Sequence, residues 1–154
     1  QMMGFLQDSI AGVAMIMMVI AAGGGFKQIL LTSGVADEVA DLATKMSLSP
    51  VVMAWAIAAL VRVSVGSATV AGLTAAGIVS SLAQGPGVSP EIMVLSVGAG
   101  SLMFSHVNDT GFWMFKEYFN LSLKQTFLSW SAMETIVSIL GLAGVLILNS
   151  FLTA

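Results

Sequence analysis

The segment from Phe104 to Phe112 concentrates polar side chains in an otherwise apolar sequence. It contains the single histidine of the chain, His106, together with Asn108 and the carboxylate of Asp109. Hydrocarbon offers such groups no water, so an ionisable residue at membrane depth has to face protein, solute or a wet cavity. A carboxylate can take up a proton, and an imidazole titrates near neutral pH. The segment is therefore a candidate site for a polar solute and for proton transfer.

A second polar interruption, Ser64 to Thr69, lies between two apolar stretches. Paired broken helices indicate a substrate site in secondary transporters. A helix that begins inside the membrane exposes unpaired N–H groups and its positive dipole end, which can receive a carboxylate. Hydroxyls at the break can bind solute, or they can serve solely as hydrogen-bond partners of the backbone groups that the break leaves free. We predict a substrate-binding set of Gly66, Ser67, Thr69, Ser105, Asn108 and Thr110.

Four ionisable residues are candidates for proton coupling or for charge pairing. Asp109 and His106 are the predicted proton-coupling residues, although Asp109 could also cap a helix near Gly111 and His106 could be a neutral group bonded to a backbone carbonyl. Arg62 could bind a substrate carboxylate, but snorkelling to the cytoplasmic interface or structural pairing is the favoured interpretation. Glu134 is more often the partner of a neighbouring helix than a proton carrier. We therefore predict Arg62 and Glu134 as charge partners.

Composition identifies the class of protein. A hydrophobic fraction of 57%, a charged fraction of 8% and a mean hydropathy of +0.98 are typical of an integral membrane chain. Five lysines and arginines, scattered singly in a chain of net charge -3, form no stripe for nucleic acid. One histidine and no cysteine argue against a metal site. Since no nucleophile and base are paired in the sequence, an enzyme is not expected.

The elements that carry these residues follow from apolar run lengths. A chain of 154 residues has room for about four membrane segments. The run 50–82 would measure roughly 50 Å as one straight helix, against a hydrocarbon core of about 30 Å, so a break near residues 64–67 is expected. We predict an all-α membrane domain over 1–154, in which the elements are a first membrane segment (9–31), an interfacial helix (35–48), a broken helix (50–82), a turn (83–87), a re-entrant hairpin (91–115), a polar link (120–125) and a last spanning helix (127–151).

Two long strings make the sequence similar to a known family. RVSVGSATVA, from Arg62 to Ala71, and GSLMFSHVNDTGFW, from Gly100 to Trp113, closely resemble the gluconate permease family of bacterial proton symporters. Shorter matches are AGGGFKQ at 22–28, KEYF at 116–119, KQT at 124–126 and WSAMET at 130–135. The resemblance covers nearly the whole chain.

The resemblance implies proton-coupled uptake of gluconate or a related sugar acid by a multi-pass permease of the bacterial inner membrane. The implied partners are the organic acid and the lipid bilayer, with the proton as coupling ion and no other cofactor. Family members are much longer, and the chain lacks a basic leader segment, so we expect a C-terminal third that needs its N-terminal part to transport. Three alternatives stay open: another small acid such as D-serine, a membrane scaffold or oligomerisation segment that transports nothing, and assembly into a homo-oligomer.

Overall fold

The computed structural model describes residues 49–79 and 89–152, with residues 10, 14, 17, 18, 21, 28, 29 and 32–34 of the N-terminal part. All regular structure in these residues is helical, as the sequence predicts, and they contain no strand. The predicted first membrane segment, 9–31, falls mostly outside the described residues. The predicted interfacial helix at 35–48 and the turn at 83–87 fall outside them entirely.

A helix break separates α1, Pro50–Val65, from α2, Ala68–Val79. Helix α1 begins with Ser49 as its cap and with proline in the first turn, where the missing N–H costs nothing. It ends at Gly66, whose φ of 71° lies in the left-handed region that favours glycine. The chain thus breaks inside the predicted interruption.

Two short helices follow, α3 at Pro90–Gly100 and α4 at Thr110–Tyr118, joined by a loop at residues 101–109. Helix α3 has 11 residues, so it measures about 16 Å and is shorter than the roughly 30 Å of a hydrocarbon core. The two helices overlap the range 91–115 predicted as a re-entrant hairpin, although α4 continues three residues beyond it.

Helix α5, Leu123–Leu152, has 30 residues and is the one helix of the described part that is long and apolar enough to cross a membrane. Only 11% of its most apolar window is buried within the chain, so most of its surface is available to lipid or to further protein. It begins earlier than the predicted residue 127 because Ser122 and Gln125 form a capping box. Its second turn, Phe127–Ser131, is π-helical, and a regular α-helix continues from Ala132.

Helix α1 is the centre of the packing, with α2 and α3 against it and α5 against α3. Gly100 permits the close approach of α3, because a Cβ there would overlap the carbonyl oxygen of Trp55. The indole N–H of Trp55 in turn donates to the Ser138 hydroxyl of α5 at 3.1 Å. The core between these helices is small and aliphatic, and consists of Ala54, Ile57, Ala58, Val61, Val65, Ala71, Ala75, Val79, Met93 and Val97.

Candidate functional site

The two polar interruptions meet in space. Gly66 lies so close to Asn108 that a Cβ at residue 66 would overlap the Asn108 backbone carbonyl. The Asn108 amide donates to the carbonyls of Val63 at 2.8 Å and Ser64 at 3.2 Å. His106 Nε2 lies 3.0 Å from the same Val63 carbonyl, and because a carbonyl only accepts, this nitrogen donates. The loop thus satisfies carbonyls that the end of α1 leaves without helical partners.

Asp109 combines a helix-capping contact with an ion pair. Its Oδ1 accepts the Gly111 N–H at 2.9 Å, which makes it the N-cap of α4. Its Oδ2 accepts from Arg62 Nη2 at 2.6 Å and from the Ser105 hydroxyl. The capping role considered from the sequence is therefore present, and the proton-coupling role of Asp109 stays a prediction.

Arg62 is 2% exposed, and its guanidinium is paired with carboxylates of the chain, which is the structural pairing considered from the sequence. Besides Asp109, its Nη2 reaches Glu134 Oε2 at 3.4 Å, and both carboxylate side chains are only 15% exposed. Among the described residues, its Nε and Nη1 have no hydrogen-bond acceptor. The structure thus joins α1, the 101–109 loop and α5 through one buried cation.

Ser105 is fully buried, and its hydroxyl both donates and accepts a hydrogen bond. It donates to Asp109 and accepts the Trp130 indole N–H at 2.8 Å, while the Ser131 hydroxyl donates to the Ser105 carbonyl. Trp130 and Ser131 lie in the π-helical turn of α5 and were not predicted as site residues from the sequence. Their spacing to Glu134, four and three residues, was the available signal, since such residues share a helix face.

Phe104 adopts a positive φ of 42° immediately before this network. A non-glycine residue in that region is strained, and such strain is often stored at functional sites. Its ring lies 5.5 Å from the His106 ring and 6.3 Å from the Phe127 ring, between centroids. The aromatic contacts hold the turn that directs Ser105 inward.

Ser67, Thr69 and Thr110 lie at the starts of the two helices that leave the site. The Ser67 hydroxyl accepts the N–H of the first turn of α2, from Val70, at 3.4 Å, and Thr69 is exposed in the described part of the chain. Thr110 is the first residue of α4. Helices α2 and α4 therefore both begin two residues beyond the contact of Gly66 with Asn108.

The described residues form only helices, one of them apolar and of membrane length, and bury charged side chains where two helix breaks meet. These are features of a membrane transport protein. The model of the family described as GntP family permease matches residues 1–151. The chain belongs to this family, which is a family of permeases and not of enzymes.

Three relatives show the degree of similarity. The chain is 54% identical to a high-affinity gluconate transporter of Escherichia coli over 94% of its length. It is 50% identical to the Gnt-II system L-idonate transporter of the same organism over 99%, and 52% identical to a gluconate permease of Pseudomonas aeruginosa over 94%. It spans about a third of these relatives, covering 33%, 35% and 32% of their lengths. No solved structure matches the chain.

Proposed function

We propose that the chain is part of a permease that takes up gluconate, or a closely related sugar acid, together with protons across the bacterial inner membrane. The observation that carries the proposal is the meeting of two helix breaks beside the buried group of Arg62, Asp109 and Glu134. The similar proteins named for gluconate and L-idonate support this substrate class. Gluconate and L-idonate are both six-carbon acids with one carboxylate and several hydroxyl groups.

The substrate carboxylate would bind at the beginnings of α2 and α4. Helix N-termini carry unpaired N–H groups and partial positive charge, and the hydroxyls of Ser67, Thr69 and Thr110 lie at these starts. Gly66 lets the Asn108 loop approach the end of α1 closely, and the buried Asn108 Oδ1 atom has no donor among the described residues, so we assign a substrate hydroxyl as its donor. Ser105 has both hydrogen-bonding directions occupied, so we assign it to holding Asp109.

The negative charges of the substrate and of the site support the proposed proton coupling. An anionic substrate beside ionised carboxylates is repelled, and protonation removes that repulsion, so binding of the acid and of a proton become linked. Asp109 and His106 are the carriers that the sequence predicts, and Arg62 and Glu134 are their charged neighbours in the same site.

In the membrane, α1 and α2 would form the broken helix, α3 and α4 the limbs of a re-entrant hairpin, and α5 a spanning helix. With the N-terminal segment this gives about four membrane segments. The lysines near the ends of α4 and α5, Lys116 and Lys124, would face the cytoplasm by the positive-inside rule. The exposed face of α5 would contact lipid, the remainder of the permease, or a second copy in a homo-oligomer.

The test is uptake of radiolabelled gluconate by the full-length permease in proteoliposomes under an imposed proton gradient. Uptake that requires the gradient and disappears in Asp109→Asn supports the proposal. Glu117→Gln is the matched control, since Glu117 pairs with Lys116 at 2.6 Å and not with Arg62. Absence of uptake of both radiolabelled gluconate and radiolabelled L-idonate would exclude the proposed substrate class.

A further inference from the structure

One nitrogen of Arg62 serves two carboxylates, and the two contacts are unequal. Nη2 lies 2.6 Å from Asp109 Oδ2 and 3.4 Å from Glu134 Oε2. Asp109 receives two further donors, the Ser105 hydroxyl and the Gly111 N–H. In the described part of the chain, Glu134 accepts no other hydrogen bond. Asp109 is therefore held by three donors, whereas Glu134 is held by a single long contact with Nη2.

The charges of this group do not balance when both carboxylates are ionised. One guanidinium then faces two negative groups, each 15% exposed, which leaves a net negative charge where solvation is poor. The two lysines among the described residues, Lys116 of α4 and Lys124 of α5, form no ion pair with Asp109 or Glu134. Helix α2 carries no charged residue, α3 carries only Glu91 in its first turn, and Lys116 of α4 is paired with Glu117. His106 directs Nε2 to the Val63 carbonyl.

We infer that Glu134 is the residue that takes up and releases the coupling proton, while Asp109 stays ionised as the fixed partner of Arg62. A proton entering from water on one side binds a Glu134 oxygen and neutralises it. Its weak contact with Nη2 is then lost, and Arg62 balances Asp109 alone. When the proton leaves toward the other side, Glu134 is again an anion and the shared contact forms again. This inference rests on the proposed symport and assigns the coupling proton to the Glu134 carboxylate.

The test separates proton movement from substrate movement in the full-length permease. Proteoliposomes containing wild type or Glu134→Gln are assayed for gradient-driven accumulation of radiolabelled gluconate and for counterflow, the exchange of labelled for unlabelled gluconate without a gradient. Glutamine keeps the shape of a protonated glutamate but cannot release a proton. We expect Glu134→Gln to lose accumulation at least tenfold, to lose gluconate-induced alkalinisation outside the vesicles, and to keep counterflow. Glu117→Gln should keep all three.

Other outcomes contradict the inference. Accumulation by Glu134→Gln at the wild-type level means that another group carries the proton, and loss of counterflow together with accumulation means that Glu134 acts in binding or folding. Should Glu134→Gln fail to reach the membrane, Glu134→Asp keeps a titratable group and should shift the pH midpoint of accumulation. An unshifted midpoint would overturn the assignment. Wild type without any gluconate transport would instead refute the proposed function itself, and with it the assignment.

Discussion

Arg62 and Asp109 are 47 positions apart in sequence, yet Nη2 and Oδ2 lie 2.6 Å apart in a buried ion pair. The pair connects the last turn of α1 to the residue that caps α4. Because both helices end or begin at this pair, any movement of one break relative to the other must change it. The geometry of the ion pair and the geometry of the candidate substrate site are therefore linked.

The first prediction concerns this pair. Arg62→Met should destabilise the full-length permease by about 3–5 kcal/mol, because it leaves Asp109 and Glu134 buried without a cation. The double variant Arg62→Met with Asp109→Asn should recover part of that loss, since one unpaired charge is removed. Thermal unfolding in detergent, run as a double-mutant cycle, measures the interaction. Additive losses would show that the two side chains are not energetically coupled.

The second prediction concerns the contact between the two breaks. Gly66→Ala should abolish transport and destabilise the protein by about 1–3 kcal/mol, because φ is 71° and the added Cβ would overlap Asn108. Gly98→Ala is the control, since a Cβ at that position meets nothing within 4 Å. Uptake assays and unfolding temperature report the two effects. Normal transport by Gly66→Ala would mean that the breaks do not need this close approach.

The third prediction tests the support of Asp109 by the π-helical turn. Trp130→Phe keeps the ring but removes the N–H that donates to Ser105 at 2.8 Å, so stability should fall by about 1 kcal/mol and the pH profile of uptake should shift. Trp113→Phe loses a bond of equal length, to the Val107 carbonyl, and should lose similar stability without a shift. Identical pH profiles for both variants would show that the hydrogen bond from Trp130 does not influence the charged group.

The fourth prediction concerns the start of α5. Ser122→Ala removes one half of the capping box with Gln125 and should cost about 1 kcal/mol of stability. Because the hydrogen bonds of Ser122 are with Gln125 and Thr126 and not with the charged group, gluconate affinity and proton coupling should stay unchanged. Unfolding temperature and the KM of uptake provide the two measurements. A changed KM would indicate that the beginning of α5 takes part in binding.

The sequence predicts what depends on neighbouring residues. Gly66 between hydroxyl residues indicates the break, and Asp109 before Thr110 and Gly111 indicates a helix cap. The start of α5 was also present in the sequence as the Ser122 and Gln125 signature, although polarity made that stretch resemble a link. Local patterns of this kind act within one turn of chain, so periodicity and capping residues suffice to find them.

The sequence does not predict contacts that depend on how helices pack. Nothing near Arg62 shows that its partners are Asp109 and Glu134, because packing of α1 against α3, and of α3 against α5, brings these side chains together. A tryptophan in an apolar stretch, such as Trp130, is typical of a lipid-facing or interfacial position. Its N–H reaches Ser105 from the π-helical turn of α5. For the same reason, the structural pairing of Arg62 could not be distinguished from snorkelling.

The last prediction distinguishes two roles of His106. In the structure, Nε2 donates to the Val63 carbonyl, where the Asn108 amide also donates, so His106 acts as a hydrogen-bond donor at the end of α1. Glutamine can also donate a hydrogen bond but does not titrate. If the role is structural, His106→Gln should keep gradient-driven uptake within about a factor of two, and His106→Leu should lose about 1 kcal/mol of stability with the lost hydrogen bond. If His106 carries the coupling proton, His106→Gln should keep gluconate exchange but lose accumulation. Because Glu134→Gln is expected to show that same pattern, assaying the two variants side by side assigns the proton to one residue or the other.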